Sequence, residues 1–382
     1  TDEDGKVNVT LAKRQPGSSI KPVNYALALK DKKITPATAL ADVPTCFVVA
    51  GQPLYCPVNY DGTFHGLTQV RFALGNSYNL PAVKVLALNG INNFVNFANQ
   101  MGLTTLVDPD LYGLSLTLGG GEVKPYDMAV AFGVFANQGI KQPLISILKV
   151  EDWRGKVYEE TDLQEIELAG ERVLSPDVTF LISHILYDNN ARSAAFGESS
   201  YLVVKGHPEV SVKTGTTNDR RDNWTIGYTA DALVVTWVGN NDNQPMSGAV
   251  SGVSGASPIW NKVIKAALDK YEESGHAWPN EPDEIIGKNI CATTGLLPSG
   301  DEGNPGCPLR FEYFLGGSLP QKIDGERQDI PINKITRQLA GSETPPEAIE
   351  TQNHPVYYDP LGTLYCLDCP IASSSATIKY PL

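Results

Sequence analysis

The sequence predicts an α+β fold, because helical patterns fill most of its first half and a group of short strands follows them. The expected helices contain good helix formers and lie at residues 17–29, 67–98, 124–137 and 173–193. Three short runs that favour strands come next, at residues 210–215, 224–228 and 233–238, and the first of them alternates between apolar and polar residues. Because the connections between these runs are short, we expect the strands to pair as antiparallel neighbours.

Composition divides the chain into two parts. Residues 1–275 hold the periodic segments, including a further expected strand at Ile145–Val150 and a last helix from Pro258 to about Glu272. Residues 276–382 are rich in Pro, Gly, Cys and polar residues and contain few periodic segments. We therefore expect one α+β domain followed by a small C-terminal extension of partly irregular structure.

Bulk properties exclude several classes of function. The chain has 382 residues, of which 42% are hydrophobic and 19% charged, which is typical of one large or one large and one small globular domain. A formal net charge of −13 argues against a nucleic-acid surface, which is normally basic. No apolar run reaches the roughly 18 residues of a membrane span. Because the chain starts at Thr1 without a signal peptide, we expect a membrane anchor only in a missing N-terminal part.

The cysteines fall into three pairs that are local in sequence. This pattern is typical of disulfides in an oxidising compartment, and the pairs are Cys46 and Cys56, Cys291 and Cys307, and Cys366 and Cys369. The alternative is a zinc site that combines the C-x-x-C of the last pair with the second pair. A single C-x-x-C is weak support for a metal, so we expect no metal and no cofactor.

Three short polar motifs point towards acyl transfer. They are S-x-x-K at Ser18 to Lys21, S-x-N at Ser77 to Asn79, and K-T-G-T at Lys213 to Thr216. Serine is a poor nucleophile until a neighbouring base accepts its proton. A lysine is such a base only where burial or nearby positive charge lowers its pKa. The motifs supply these groups without a histidine, and the five histidines show no metal-binding spacing.

Each motif alone is weak. Ser146 to Lys149 also fits S-x-x-K, but on a strand these two side chains would point to opposite faces. Ser18 follows Gly17 at a helix start, where its side chain shares a face with Lys21 and free N–H groups favour an oxyanion. The simpler alternative for Ser18 is a helix cap. S-x-N alone is typical of a turn, and K-T-G alone of a solvated strand end.

Taken in order, the motifs resemble those of the penicillin-binding proteins, the serine DD-transpeptidases of peptidoglycan synthesis. The likeness covers roughly residues 5–270. Residues 14–22 resemble the family's nucleophile segment, and four segments are similar to its class A (bifunctional) branch: 59–66, 71–74, 188–192 and 213–228. It implies a β-lactamase/DD-transpeptidase-like fold with a central antiparallel sheet flanked by helices and a helical lobe. That family has strands before the nucleophile helix, and only Val7 to Leu11 could form one, so we expect the N-terminal strands to be missing.

The resemblance also implies roles for matched residues. Ser18 is the expected nucleophile and Lys21 its base, while Ser77 relays a proton and Lys213 lowers the pKa of Lys21 and binds substrate. The substrate-binding residues that it implies are Asn79, Thr214, Gly215 and Thr216. The expected partners are stem peptides, with a D-Ala-D-Ala donor and an amine acceptor, and β-lactam antibiotics. Such a protein acts outside the cytoplasm.

Three other functions remain open. A DD-carboxypeptidase of the same fold uses the same groups with water as the acceptor. A non-catalytic penicillin-binding sensor or scaffold would bind without turnover. A β-lactamase needs a carboxylate that promotes deacylation, and no E-x-x-L-N-type segment follows Asn79.

Overall fold

The fold is described by a computed structural model that covers residues 6–49, 51, 53–246, 254–271, 278–301, 303–341, 344–370 and 378–381. Within these residues the α-helices are α1 (Lys21–Lys30), α2 (Val70–Gly75), α3 (Asn79–Asn89), α4 (Ile91–Gln100), α5 (Pro125–Ala136), α6 (Leu163–Leu168), α7 (Pro176–Tyr187), α8 (Asn189–Phe196) and α9 (Ser257–Tyr271). The first strands are β1 (Ala39–Asp42), β2 (Thr45–Val48), β3 (Gly66–Gln69), β4 (Ile140–Lys141), β5 (Lys149–Glu151), β6 (Val157–Glu160) and β7 (Glu171–Arg172). The later strands are β8 (Ser211–Thr216), β9 (Asp222–Tyr228), β10 (Leu233–Gly239), β11 (Ile286–Cys291), β12 (Leu309–Phe314), β13 (Arg327–Asn333), β14 (Ile349–Tyr358), β15 (Leu364–Cys366) and β16 (Ile378–Pro381).

Helix α1 runs through the centre of the main domain. A 3₁₀ turn at Gly17–Ile20 leads into it, which confirms the predicted helix start and places Ser18 in the turn itself. All residues from Lys21 to Leu29 are buried, as expected for a helix that is almost wholly apolar. Pro22 lies in the first turn, where its missing N–H leaves no helical hydrogen bond unmade.

The single helix predicted at residues 67–98 is wrong. The segment contains strand β3 and helices α2, α3 and α4. Ser77 interrupts it with φ +63°, a left-handed conformation that no α-helix contains. Gly90, with φ +78°, separates α3 from α4. Propensity alone favours one long helix here, and these two backbone reversals override it.

Of four other predicted elements, one is confirmed and three are wrong in part or in full. Helix α5 confirms the prediction at residues 124–137, while the helix predicted at 173–193 is divided by Asp188, whose side chain caps α8. The strand predicted at Ile145–Val150 is wrong for its first four residues, because β5 begins only at Lys149. The strand considered at Val7–Leu11 is also wrong, since Val9–Leu11 forms a 3₁₀ turn capped by Asn8.

The predicted meander is confirmed as a three-stranded antiparallel sheet in the order β10-β9-β8. Strand alternation sends Val212 to the face covered by α9, where Trp260 fills the space above Gly227. Lys213 therefore points to the other face, together with Ile226 of β9. That face packs on the buried helices of the main core.

The residues after 275 contain more regular structure than their composition indicates. β11 pairs with β12, β13, β14 and β15 form a second sheet, and β16 lies parallel to β2. The Arg71 guanidinium makes two hydrogen bonds to Glu312 of β12, at 2.5 and 2.8 Å, and both side chains are buried. A division of the chain at residue 275 remains a prediction.

Disulfides join each of the three local cysteine pairs: Cys46 to Cys56, Cys291 to Cys307, and Cys366 to Cys369. No helix in the described part of the chain is long and apolar enough to span a bilayer.

Candidate active site

The turn that carries Ser18 is held against strand β8 by two glycines. Gly17 has φ +55°, and a Cβ there would lie 2.7 Å from the carbonyl oxygen of Thr216. A Cβ on Gly215 would overlap the carbonyl of Pro16 and approach the Ser19 nitrogen to 2.9 Å. The absence of both side chains therefore lets the backbone of the turn lie directly along β8. Ser18 is half-buried in this position.

Lys21 follows this turn and is fully buried. Its Nζ lies 2.8 Å from Asn79 Oδ1, 2.5 Å from the Ser77 carbonyl oxygen and 3.0 Å from the Tyr78 carbonyl oxygen. It also lies 3.5 Å from the Ser77 hydroxyl oxygen. The S-x-N segment thus surrounds the amino group of Lys21, as the family resemblance implies.

Lys213, on strand β8 of the three-stranded sheet, contacts the same Ser77 hydroxyl. Its Nζ donates to Ser77 Oγ at 2.8 Å and to its neighbour's carbonyl, that of Thr214, at 2.9 Å. Ser77 is therefore a shared contact of two lysine amino groups that are 192 positions apart in the chain. The left-handed conformation of Ser77 is the kind of backbone strain that clusters at functional sites.

The environment shifts both lysine pKa values in the same direction. Burial lowers the pKa of Lys213 to about 7. Burial also holds the pKa of Lys21 well below its usual range, the charge of Lys213 lowers it further, and the carboxylate of Asp42 opposes both effects. A buried lysine with a lowered pKa can be an uncharged amine near neutral pH, which is the form that accepts a proton.

The residues predicted to bind substrate lie around these groups. Asn79 contacts Lys21 through Oδ1, and its Nδ2 donates to the Val58 carbonyl at 2.9 Å, so a substrate amide would compete with that bond. Thr214, Gly215 and Thr216 lie on β8, one of the two edge strands of the three-stranded sheet. The structure brings all eight predicted site residues to one region.

Sequence reasoning missed the carboxylate behind the S-x-N turn. Asp42 ends β1 and is fully buried, and its Oδ2 accepts from Asn59 Nδ2 at 2.8 Å and from the His65 backbone N–H at 3.0 Å. His65 Nδ1 lies 2.8 Å from the same oxygen. Asn59 in turn accepts from the Asn79 backbone N–H at 2.7 Å. An aspartate directly after the short apolar run Ala39–Ala41 was the available signal.

The hydrogen-bond network around Asp42 also supports the ring of Tyr78, the middle residue of the S-x-N motif. The His65 imidazole stacks on Tyr78, with ring centroids 3.8 Å apart and planes 12° from parallel. Burial raises the pKa of Asp42 above its usual value, and the hydrogen bonds from His65 and Asn59 offset only part of that rise. His65 is thus a structural partner of the turn and not one of the groups that surround Lys21.

Other candidates lie outside the site. The second S-x-x-K match has Ser146 in an exposed bend and Lys149 on the exposed strand β5. The four-cysteine zinc site considered from sequence is wrong, because the two cysteine pairs belong to separate clusters with different neighbours.

Fold and geometry define an α+β domain in which a serine turn, an S-x-N turn and a K-T-G strand form one two-lysine site. Residues 7–265, more than half of the chain, match the family described as the penicillin binding protein transpeptidase domain. The chain belongs to this family. The family resemblance and the predicted fold are confirmed.

Individual relatives agree with this assignment. The chain is 29% identical over 351 residues to penicillin-binding protein 1A of Clostridium botulinum, covering 89% of this chain and 40% of that protein. It is 31% identical over 384 residues to penicillin-binding protein 1C of Escherichia coli, covering 99% of this chain and 43% of that protein. The crystal structure of penicillin-binding protein 1A from Haemophilus influenzae superposes with a TM-score of 0.71 at 28% identity, over 85% of this chain and 51% of that one. The chain thus spans about two fifths of the length of these curated relatives.

Proposed function

We propose that this chain is a serine DD-transpeptidase that cross-links peptidoglycan stem peptides through an acyl-enzyme on Ser18. The observation that carries the proposal is the meeting of two buried lysines at one hydroxyl. Lys21 Nζ and Lys213 Nζ lie 3.5 and 2.8 Å from Ser77 Oγ, while the turn that carries Ser18 lies directly against β8. A fixed, water-poor site of this kind suits a serine that must lose its proton to an amine.

In the first step, Ser18 Oγ attacks the carbonyl carbon between the two terminal D-alanines and transfers its proton to uncharged Lys21. An uncharged amine has two N–H groups, and Asn79 Oδ1 and the Ser77 carbonyl can accept them, which leaves the lone pair free for the serine proton. The charge of Lys213 favours this uncharged form of Lys21.

The C–N bond then breaks and D-alanine leaves as an amine that has gained a proton. Ser77 is the proposed relay for this proton, because its hydroxyl contacts both lysines. Backbone N–H groups of Ser18 and Thr216 are the proposed oxyanion donors, each worth about 3 kcal/mol in comparable sites. Lys213, Thr214 and Thr216 would hold the terminal carboxylate while the donor peptide pairs with edge strand β8.

In the second step, the amine of a neighbouring stem attacks the Ser18 ester, so that a new amide forms and the serine regains its proton. The proposed partners are therefore donor and acceptor stem peptides, with β-lactams acylating the same serine because their amide mimics the D-Ala-D-Ala bond. Peptidoglycan lies outside the cytoplasm, and we place the activity there. Anchoring to the membrane would come from a segment that precedes this chain.

The first test identifies the nucleophile. The protein is incubated with labelled penicillin, and the adduct is located by peptide mass in the wild type, in Ser18→Ala and in Ser146→Ala. We expect one adduct on the peptide of Ser18, lost in Ser18→Ala and retained in Ser146→Ala, which removes the other S-x-x-K serine. An adduct on another residue, or one that survives Ser18→Ala, contradicts the proposal.

The second test separates the activities that share this chemistry. Stem pentapeptide is supplied with and without an amine acceptor, and D-alanine release and amide product are measured. Amide product formed with the acceptor supports transpeptidation, whereas D-alanine release with tetrapeptide as the only product identifies a carboxypeptidase. Acylation without D-alanine release would identify a sensor or scaffold.

A further inference from the structure

A second cluster of reactive side chains lies in the C-terminal region, on the sheet formed by β13, β14 and β15. Val356 of β14 pairs with Cys366 of β15, and the Leu367 N–H donates to the Pro355 carbonyl at 3.0 Å. Continuing this antiparallel register places His354 opposite Asp368. The sheet therefore brings a histidine from one strand next to the Cys366-to-Cys369 segment that follows the other.

The side chains of this cluster lie close enough together to reach one metal ion once the Cys366–Cys369 disulfide is opened. One nitrogen of His354, the sulfurs of Cys366 and Cys369 and one oxygen of Asp368 are all within 4.8 Å of one another. His354 Nδ1 lies 2.7 Å from Asp368 Oδ1, and Cys366 Sγ lies 3.3 Å from the same oxygen. Two cysteines, one histidine and one carboxylate form a ligand set that suits tetrahedral Zn²⁺.

Outer contacts orient the histidine for this role. His354 Nε2 lies 3.0 Å from Gln352 Oε1, and Gln352 Nε2 donates to Glu350 Oε1 at 2.6 Å. The tautomer that donates Nε2–H to Gln352 leaves the Nδ1 lone pair directed at the cluster. Such a hydrogen bond on the second ring nitrogen is the usual support of a metal-bound histidine.

The interior side of the cluster is apolar. Cys366 packs with Ile330, Ile332 and Val356, while Cys369 is half-buried and Asp368 is exposed. An apolar floor with one open side would exclude water from the sulfurs and still admit a small reductant and an ion.

We propose that the Cys366–Cys369 disulfide is exchangeable with a zinc-binding state in which Cys366, Cys369, His354 and Asp368 are the four ligands. A dithiol reduces the disulfide: the S–S bond breaks, two thiols form and the dithiol becomes a cyclic disulfide. Binding of Zn²⁺ then releases the two thiol protons, because the ligands are thiolates. This site is independent of the Ser18 chemistry and does not rest on it.

The chain offers a matched control. Cys291 and Cys307 also form a disulfide with one carboxylate, Asp324, close by. That cluster supplies three donors and no histidine, and Asp324 already accepts from the Thr294 hydroxyl at 2.6 Å. Reduction of the whole protein frees all three cysteine pairs, so a comparison of these two pairs tests the ligand set and not merely the presence of thiols.

The experiment titrates the whole 382-residue chain with Co²⁺ after reduction by a water-soluble phosphine, which binds metal weakly. Thiolate-to-cobalt absorption reports binding, and added Zn²⁺ should displace the cobalt. We expect one equivalent bound by the reduced wild type, none by the oxidised wild type or by Cys366→Ser/Cys369→Ser, and affinity lower by about 10-fold or more in His354→Ala. Cys291→Ser/Cys307→Ser should still bind one equivalent.

Thermal unfolding of each oxidised variant shows whether it folds. If His354→Ala does not, Asp368→Asn replaces it, because Asp368 is exposed and its amide changes the charge with little change in shape. Absence of cobalt uptake by the reduced chain overturns the proposal. Uptake that survives Cys366→Ser/Cys369→Ser, or that disappears in Cys291→Ser/Cys307→Ser, overturns it equally.

Discussion

Replacement of Lys213 by methionine should stabilise the fold while it abolishes acylation. Lys213 is only 3% exposed, and burial lowers its pKa from 10.5 to about 7. That difference corresponds to a cost of roughly 5 kcal/mol for carrying the charge in the folded protein below pH 7. Methionine has a similar unbranched stem without the charge. It loses the hydrogen bonds to Ser77 and Thr214, worth about 1–3 kcal/mol together, so we expect a net gain of roughly 2–4 kcal/mol.

The pH dependence of this gain follows from the direction of the pKa shift. Because the folded pKa lies below the unfolded one, the unfolded wild type binds more protons than the folded form between pH 7 and pH 10.5. Wild-type stability therefore rises with pH in this window by about 1.4 kcal/mol per pH unit, and the methionine variant lacks this rise. The stability advantage of the variant should shrink by roughly 3 kcal/mol between pH 7 and pH 9.5. The lost charge also raises the pKa of Lys21, which adds to the gain at low pH.

The assay is urea unfolding of both proteins at about pH 6.5 and pH 9.5, with penicillin acylation measured on the same samples. Exposed Lys205, changed to methionine, is the control and should alter the free energy of unfolding by less than about 0.5 kcal/mol at either pH. Acylation by the Lys213→Met variant should fall by about 100-fold or more. A variant that is less stable than the wild type at pH 6.5 would refute the reasoning, as would a stability difference that does not change with pH.

Three further changes test other parts of the site. Asp42→Asn removes a negative charge that raises the pKa of Lys21. The acid limb of the pH profile of penicillin acylation should therefore move to lower pH. A move to higher pH, or no move, would contradict this role of Asp42. Glu312→Gln leaves the buried Arg71 guanidinium with an uncharged partner. The free energy of unfolding, measured by urea unfolding, should fall by about 3 kcal/mol. A loss below about 1 kcal/mol would show that the ion pair contributes little. Gly215→Ala should separate β8 from the serine turn and slow penicillin acylation strongly, and a wild-type rate would contradict the packing role of this glycine.

Sequence could predict those parts of the site whose geometry follows from the periodicity of a helix or a strand. Ser18 and Lys21 are three positions apart on a helical turn, and strand alternation sends Lys213 to one face of the meander. The structure contains both the helical turn and the strand alternation. The meeting of Lys21 and Lys213 at Ser77 was expected from the family resemblance, because spacing along the chain carries no information about contacts across such distances.

The parts that could not be predicted depend on tertiary context. Residues 67–98 have the composition of one helix, and only the packed structure shows why Ser77 leaves it with a positive φ. Asp42 ends β1, and its role depends on Asn59 and His65, which reach it from a later loop. Buried polar groups of this kind are satisfied by partners that local patterns do not reveal.

The C-terminal region is best understood as part of the support of the site. Helix α3 begins at Asn79, within the S-x-N turn, and its Lys84 makes a 2.6 Å ion pair with Asp359 in which neither side chain is exposed. Asp359 also accepts from the Ala41 N–H of β1 at 3.4 Å, one residue before Asp42. A buried ion pair contributes little net stability, but its partners are costly to separate. The two contacts therefore fix α3 and β1 relative to each other, and these elements carry the groups that surround and tune the amine of Lys21.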